Sequence, residues 1–455
     1  MKRKIESNLL VIFVHEISEY LNYTNDLFEE IRCNHFISDL ASIKVIIILE
    51  KLHVENGRFK FELSVYDFVA NGPFTKERDI TSTMPVGPEP GQWKFVLKYL
   101  FEVFPGDRKM LVTWSHGNGF GINFQAQPTV PVTISNPFIS IQDKPRLFSK
   151  ANLNNVIAMS DDYQNNTLVE HKTVLQCNVH NIIWVQDIAD ALKIALPDNK
   201  LDVLLMINCN MQTVDNAIIL SPQVRYLVAP QSFSAYYCVS FKGILETMRK
   251  HPGASNRVLA KTIIDNTVQK FTFEIEDGRE TMGSNSLIAV RLKFARIVLF
   301  IVNEVSETLL KLAKVVPGFR EMLLLIRQEN LSDTSGTVNI GLVDFGRFLT
   351  LIAKRFEAFS TNLYILEKSY KSTINKMVVA KFIGKNFLIN DEYSSNKFGQ
   401  SGFSIYFPRN QKAFEEAKSV HCVYYNVSTM SEFARLGSWD NLLLNLFTKT
   451  EQSNF

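Results

Sequence analysis

Residues 201–229 read LDVLLMINCNMQTVDNAIILSPQVRYLVA. Two short apolar runs, LDVLLMIN and VRYLVA, flank MQTVDNAIIL, whose apolar residues recur at helical spacing. Apolar runs of that length without polar alternation predict strands buried on both faces. The strand–helix–strand order predicts that they lie parallel in one sheet.

The same texture extends outward. NLLVIFV, KVIIILE and KMLVTWS read as further buried strands, and RFKFELSVYDF alternates like a half-exposed one. GQWKFVLKYLFEVF and VQDIADALKIAL carry apolar residues at helical spacing. The fold class is therefore α/β, a mainly parallel sheet flanked by helices on both faces. Residues 1–253 form the expected first domain. It is interrupted by a polar, turn-rich insertion over about 125–172. Beyond the HPGASNRVLAKTIIDNTV segment the helices lengthen, as in FARIVLFIVNEVSETLLKLAKVV, and strand-like pieces such as FSIYFP return. Residues 254–455 are expected to be a mixed α/β C-terminal region packed on the first domain.

Composition narrows the function classes. At 455 residues, 46% hydrophobic and 21% charged, the chain is an ordinary globular protein with large cores. Its formal net charge of +3, with no long block of like charges, does not imply a nucleic-acid or other polyanionic partner. The 5 cysteines (Cys33, Cys177, Cys209, Cys238, Cys422) are scattered and give no readable disulfide framework, which is compatible with a reducing compartment. The basic start MKRKIESNLLVIFVHEISEYL has too short an apolar core for a signal peptide, so a cytoplasmic location is favoured. No apolar stretch is long enough to span a bilayer.

Several motifs fail on inspection. GNGFG places glycines at 117, 119 and 121, but Ile122 stands where a dinucleotide fingerprint needs glycine. There is no phosphate-loop, HExxH or GxSxG pattern. His171, Cys177 and His180 lack the spacing of a usual zinc site and read as packing residues, so no metal is assigned.

His116 and Cys209 form a more productive pair. Each lies just beyond the end of an apolar strand, KMLVTWS and LDVLLMIN. In a parallel sheet both then emerge at the carboxyl edge, where α/β folds build sites. A helix beginning near Met211 would aim its positive end at Cys209 and favour the thiolate. His116 can deliver a proton to a leaving amine, and the N–H groups of Gly117 and Cys209 can serve an oxyanion hole. The same residues are also compatible with a buried core cysteine and a turn histidine.

LVTWSHGNG followed by LDVLLMINCNMQTVDNAIILSPQVRYLVA resembles the clostripain family of cysteine peptidases, in the caspase-like group. HPGASNRVLAKTIIDN, VNIGLVDFGRFL, SGFSIYFP and SWDNLLLNLF, in that order, are similar to later family segments. The resemblance implies a caspase-like sheet and a Cys–His dyad, with Cys209 as nucleophile and His116 as general acid/base. It implies a peptide or protein substrate and no required cofactor; it leaves room for calcium dependence and export, known in some relatives, although no EF-hand-type loop is readable here. It also suggests maturation by cleavage in the loop that holds Lys144, Arg146 and Lys150. Relatives that cut after Arg or Lys have an acidic residue where this chain has Ile207, and Ser-Gln-Glu where it has Pro230, Gln231 and Ser232. A cationic side chain would lack a partner there. A substrate pocket of Ser115, Ile207, Asn208, Gln231, Ser232 and Phe233 is expected to prefer apolar or neutral side chains. A catalytically silent peptide-binding relative and a thiol acyl transferase are the alternative functions.

Overall fold

The computed structural model of the chain describes residues 7–16, 21–34, 43–55, 58–71, 74–84, 93–117, 119, 121–123, 182–231, 238–268, 270–274, 280–284, 286–331, 341–383, 401–408, 410–411, 414 and 432–448. The first part of the chain contains β1 (Asn8–Glu16), α1 (Leu21–Asn34), β2 (Ile43–Glu55), β3 (Arg58–Asn71), β4 (Phe74–Asp79), α2 (Trp93–Val103) and β5 (Arg108–Trp114). Three short strands, β6 (His116–Gly117), β7 (Gly121–Asn123) and β8 (Ile182–Trp184), lead to α3 (Val185–Ala195). Then come β9 (Leu201–Ile207), α4 (Val214–Leu220), β10 (Val224–Ala229), α5 (Phe241–Lys250) and α6 (Asn256–Asp265). The rest comprises β11 (Lys270–Glu274), β12 (Glu280–Ser284), β13 (Ser286–Arg291), α7 (Ala295–Leu312), α8 (Phe319–Leu331), β14 (Leu342–Asp344), α9 (Phe345–Arg355), α10 (Asn362–Met377), β15 (Val378–Ile383), β16 (Ser404–Tyr406), α11 (Glu432–Leu436) and α12 (Trp439–Thr448).

One sheet organises the molecule, in the order β15-β13-β10-β9-β5-β1-β2-β3-β4. Its central strands β10, β9, β5, β1 and β2 are parallel. Antiparallel partners extend it on both sides, β3 and β4 beyond β2, and β13 and β15 beyond β10. The central strands are unbroken apolar runs because both of their faces are covered. Leu9, Val11 and Phe13 of β1 point to the side that holds α2, α3, α4 and α7. Leu10, Ile12 and Val14 point to the side that holds α1, α5 and α6.

The segment after residue 254 completes this same sheet, since β13 and β15 are its outer strands. It also covers one face of the sheet with α7 and α10. The expected insertion over 125–172, with His171 just inside it and Cys177 and His180 just after it, lies outside the described residues. Among the described residues no helix is long and apolar enough to cross a membrane.

Candidate active site

The site begins with strand register. β5 and β9 are parallel neighbours, paired from Met110↔Val203 to Trp114↔Ile207. Ser115 and Asn208 therefore leave the sheet at one level, and the backbones of His116 and Cys209 follow them at the same carboxyl edge. Three contacts lock this exit. The Ser115 N–H donates to the Ile207 carbonyl at 3.4 Å. The Thr113 hydroxyl donates to Asn208 Oδ1 at 2.7 Å, and Asn208 Nδ2 donates to the Ser115 carbonyl at 2.9 Å. Asn208 is buried, and its amide thus spends both ends on cross-strand bonds.

Gly117 closes on this staple. A Cβ at that position would lie 2.5 Å from the Cys209 carbonyl oxygen and 2.9 Å from the Asn208 carbonyl carbon, closer than atoms can pack. Only glycine permits the approach. The HGNG segment then makes a hairpin. His116 pairs with Asn123 and Gly117 with Ile122, and β7 pairs in turn with β8. Gly119 in the turn has φ +86°, a conformation that glycine adopts without a Cβ penalty. Its carbonyl accepts from Asn216 Nδ2 at 3.0 Å. The glycines of the motif serve a turn and a close contact, and the Ile122 that spoils a dinucleotide fingerprint is a core residue.

After β9 the chain turns through Cys209 and Asn210, and Asn210 adopts φ +64°, a left-handed conformation that asparagine tolerates. Cys209 is 8% exposed, and its thiol is in no disulfide. The helix expected near Met211 starts later, at Val214, where the Thr213 hydroxyl accepts from the Asn216 N–H at 3.1 Å. The reason lies in the backbone between. The Gln212 N–H donates to the Pro230 carbonyl at 2.9 Å, and the Gln212 carbonyl accepts from the Ser404 N–H at 3.0 Å. A residue bonded to two other segments cannot also enter a helix. With seven residues and a start beyond Thr213, α4 supplies Cys209 with little of the dipole field that sequence spacing suggested.

Distant elements hold this loop. β16 runs antiparallel to β14 and bridges to Thr213 through Ser404. Gln231, just past β10, donates from Nε2 to Asp344 Oδ2 at 2.9 Å and accepts from the Gly402 N–H at 3.2 Å. Asp344 caps α9, accepting from the Arg347 N–H at 2.9 Å, and also accepts from the Ser401 N–H at 2.7 Å. Burial pushes the Asp344 carboxyl above its ordinary range, against the pull of its Ser401, Arg347 and Gln231 donors. Ile207 packs into the apolar core on the β9 face opposite Met206. Ser115, Asn208 and Gln231 are buried, whereas Ser232 and Phe233 lie outside the described residues.

Sequence reading passed over one pair at this edge. Val14 of β1 pairs with Trp114, so His15 stands level with Ser115. His15 Nδ1 lies 3.0 Å from Glu50 Oε2, and both residues are buried. Burial lowers the His15 pKa, opposed by the bond to Glu50. The signal was present in VIFVHE, a histidine ending an apolar run just as His116 follows one.

The clostripain-family model matches residues 158–445, more than half of the chain and a span that includes Cys209. The chain belongs to the clostripain family. It is thus a cysteine peptidase, a hydrolase of peptide or protein substrates. The clostripain fold extends over nearly the whole molecule. It is similar to a secreted C11 cysteine protease from Bacteroides thetaiotaomicron in complex with an irreversible peptide inhibitor, with a TM-score of 0.54 at 14% identity over 96% of this chain and 99% of that one. It is also similar to an inactive zymogen C11 protease from Parabacteroides distasonis, with a TM-score of 0.50 at 13% identity over 93% and 98% of the two chains. No curated relative matches this clostripain-family chain by sequence.

Proposed function

We propose that this clostripain-family chain is an endopeptidase with a Cys209–His116 dyad that works through a thioester acyl-enzyme. The observation that carries the reading is the β5–β9 register, with Gly117 pressed against the Asn208–Cys209 peptide. It brings the backbones of the two candidate residues to one edge of the sheet, although they are far apart in sequence. Cys209, as thiolate, attacks the scissile carbonyl. The Gly117 and Cys209 N–H groups receive the oxyanion, and protonated His116 gives its proton to the departing amine. Water, deprotonated by His116, then hydrolyses the thioester and releases the Cys209 thiol.

Ile207 supports a preference for apolar or neutral side chains before the scissile bond. That position holds no carboxylate and packs into the core, so Ile207 itself cannot neutralise a bound arginine or lysine. The proposed pocket is formed by Ser115, Ile207, Asn208, Gln231, Ser232 and Phe233. The proposed steps need no cofactor, and among the described residues no three His, Cys, Asp or Glu side chains converge. No step is routed through a metal.

The test is labelling by peptidyl ketones with an electrophilic leaving group, carrying either neutral or basic side chains at the position before the cut. The expected result is one label per chain, lost in Cys209→Ala and fastest with neutral peptides. Turnover in His116→Ala is expected to fall at least ~100-fold with the melting temperature retained. Absence of label across all peptides would overturn the dyad and favour a silent peptide-binding protein. Products that incorporate an added amine in place of water would indicate acyl transfer.

A further inference from the structure

At the end of β9 and β10 remote from Cys209 the surface opens into a cleft of about 570 Å³. Lys200 stands just before β9, Arg225 lies in β10, and Arg291 ends β13. Lys293 and Arg296 flank the start of α7, so that five cationic side chains and, among the described residues, no carboxylate line the space. The whole chain carries a net charge of only +3, so this is a local concentration that composition could not reveal. β9 has seven residues, which at ~3.3 Å per residue puts the cleft roughly 20 Å from the catalytic edge.

The Asp202 carboxylate touches the group, with Arg225 Nε at 3.4 Å from its Oδ1. Its oxygens already accept from Asn256 Nδ2 at 2.6 Å and from the Lys109 N–H at 3.0 Å. Burial lowers the pKa of Lys200, and repulsion from Arg225 and Arg296 lowers it further. The cations therefore oppose one another, and an anion between them would relieve that repulsion. α7 begins here with no side-chain cap and brings the positive end of an 18-residue helix to the same wall.

We propose that this cleft binds a small, multiply charged anion of the polyphosphate class. The cleft has the volume of a small-molecule site. Arginine forks match phosphate oxygens two at a time, and the lysines add point charges. A long nucleic acid would instead need a basic stripe continuing across the surface.

The experiment uses the full chain and sodium tripolyphosphate, followed by calorimetric titration and by thermal shift at constant ionic strength. The expected result is a saturable rise in melting temperature, since a ligand that binds only the native state stabilises it by mass action. Binding should weaken about tenfold in R291Q/R296Q and also in K293Q, and stay unchanged in K354Q, whose side chain lies outside the cleft. Cys209 labelling in the unliganded variants reports that they remain folded. A nucleoside triphosphate that binds as tightly as tripolyphosphate assigns recognition to the phosphates, and tighter binding adds a base contact within the same site. The proposal is overturned if tripolyphosphate gives no saturable effect, if the cleft variants bind it unchanged, or if only long polyanions such as RNA bind.

Discussion

Gly117 shows how a single missing methyl group shapes the site. Its Cα rests where any Cβ would meet the Cys209 carbonyl oxygen, so Gly117→Ala must push the HGNG hairpin off the Asn208–Cys209 peptide. Overpacking of this kind costs ~1–3 kcal/mol. We expect the variant to stay folded but to label at Cys209 at least tenfold more slowly, because the displaced backbone belongs to the site. Asn208 makes the complementary case. Asn208→Ala strands the Thr113 hydroxyl and the Ser115 carbonyl in the interior, at ~1–3 kcal/mol in urea unfolding. Asn208→Asp should be worse at neutral pH, since a carboxylate oxygen would then face the Ser115 carbonyl. The arrival of the His116 and Cys209 backbones at one sheet edge was legible in the sequence because each residue follows an apolar run. The staple was not, because its bonds join residues whose proximity depends on strand pairing.

Among the elements, the pair β14–β16 and the helix α9 carry more of the site than their distance from Cys209 in sequence suggests. β16 holds the Gln212 carbonyl through Ser404, and the α9 cap Asp344 holds Gln231. Asp344→Ala removes acceptors from Gln231, Ser401 and Arg347 together. A buried donor left unsatisfied costs ~1–3 kcal/mol, and loss of an N-cap ~1 kcal/mol. The three share one carboxylate and will not add, so a total loss of ~3 kcal/mol is expected. Cys209 labelling should slow in the same variant at temperatures where it is fully folded. An unchanged labelling rate would confine Asp344 to stability. The late start of α4 belongs to this scale as well. MQTVDNAIIL has helical periodicity, and periodicity cannot tell that the Gln212 backbone is already committed to Pro230 and Ser404. Thr213, a good N-cap residue, was the signal that marked the true boundary.

For the whole molecule, the parallel centre of the sheet was readable because strands buried on both faces must be continuous apolar runs. The antiparallel wing beyond β10 was not, since β13 and β15 reach β10 only through contacts far along the chain. Distant contact also buries a carboxyl group. Asp440 in the first turn of α12 is buried, its carboxyl oxygens have no hydrogen-bond partner among the described residues, and it feels Asp215 in the first turn of α4. Burial, reinforced by repulsion from Asp215, raises its pKa from 3.8 to about 7. Between those values the native state keeps a proton that the unfolded chain has released. Stability therefore falls as pH rises through this window, and the loss is complete above about pH 7. His15 acts in the opposite sense. Its pKa is lowered by burial, so stability falls as pH drops below its ordinary value of 6.5, where the unfolded chain takes up the proton first. Asp440→Asn isolates the first effect by removing its titration while keeping the shape. The variant should match the wild type near pH 4 and exceed it by about 4 kcal/mol at pH 8, at about 1.4 kcal/mol per pKa unit. The acid limb set by His15 should not move. Urea unfolding at pH 4, 6 and 8 measures the difference, and a constant offset at all three would show that Asp440 titrates alike in the native and unfolded chain.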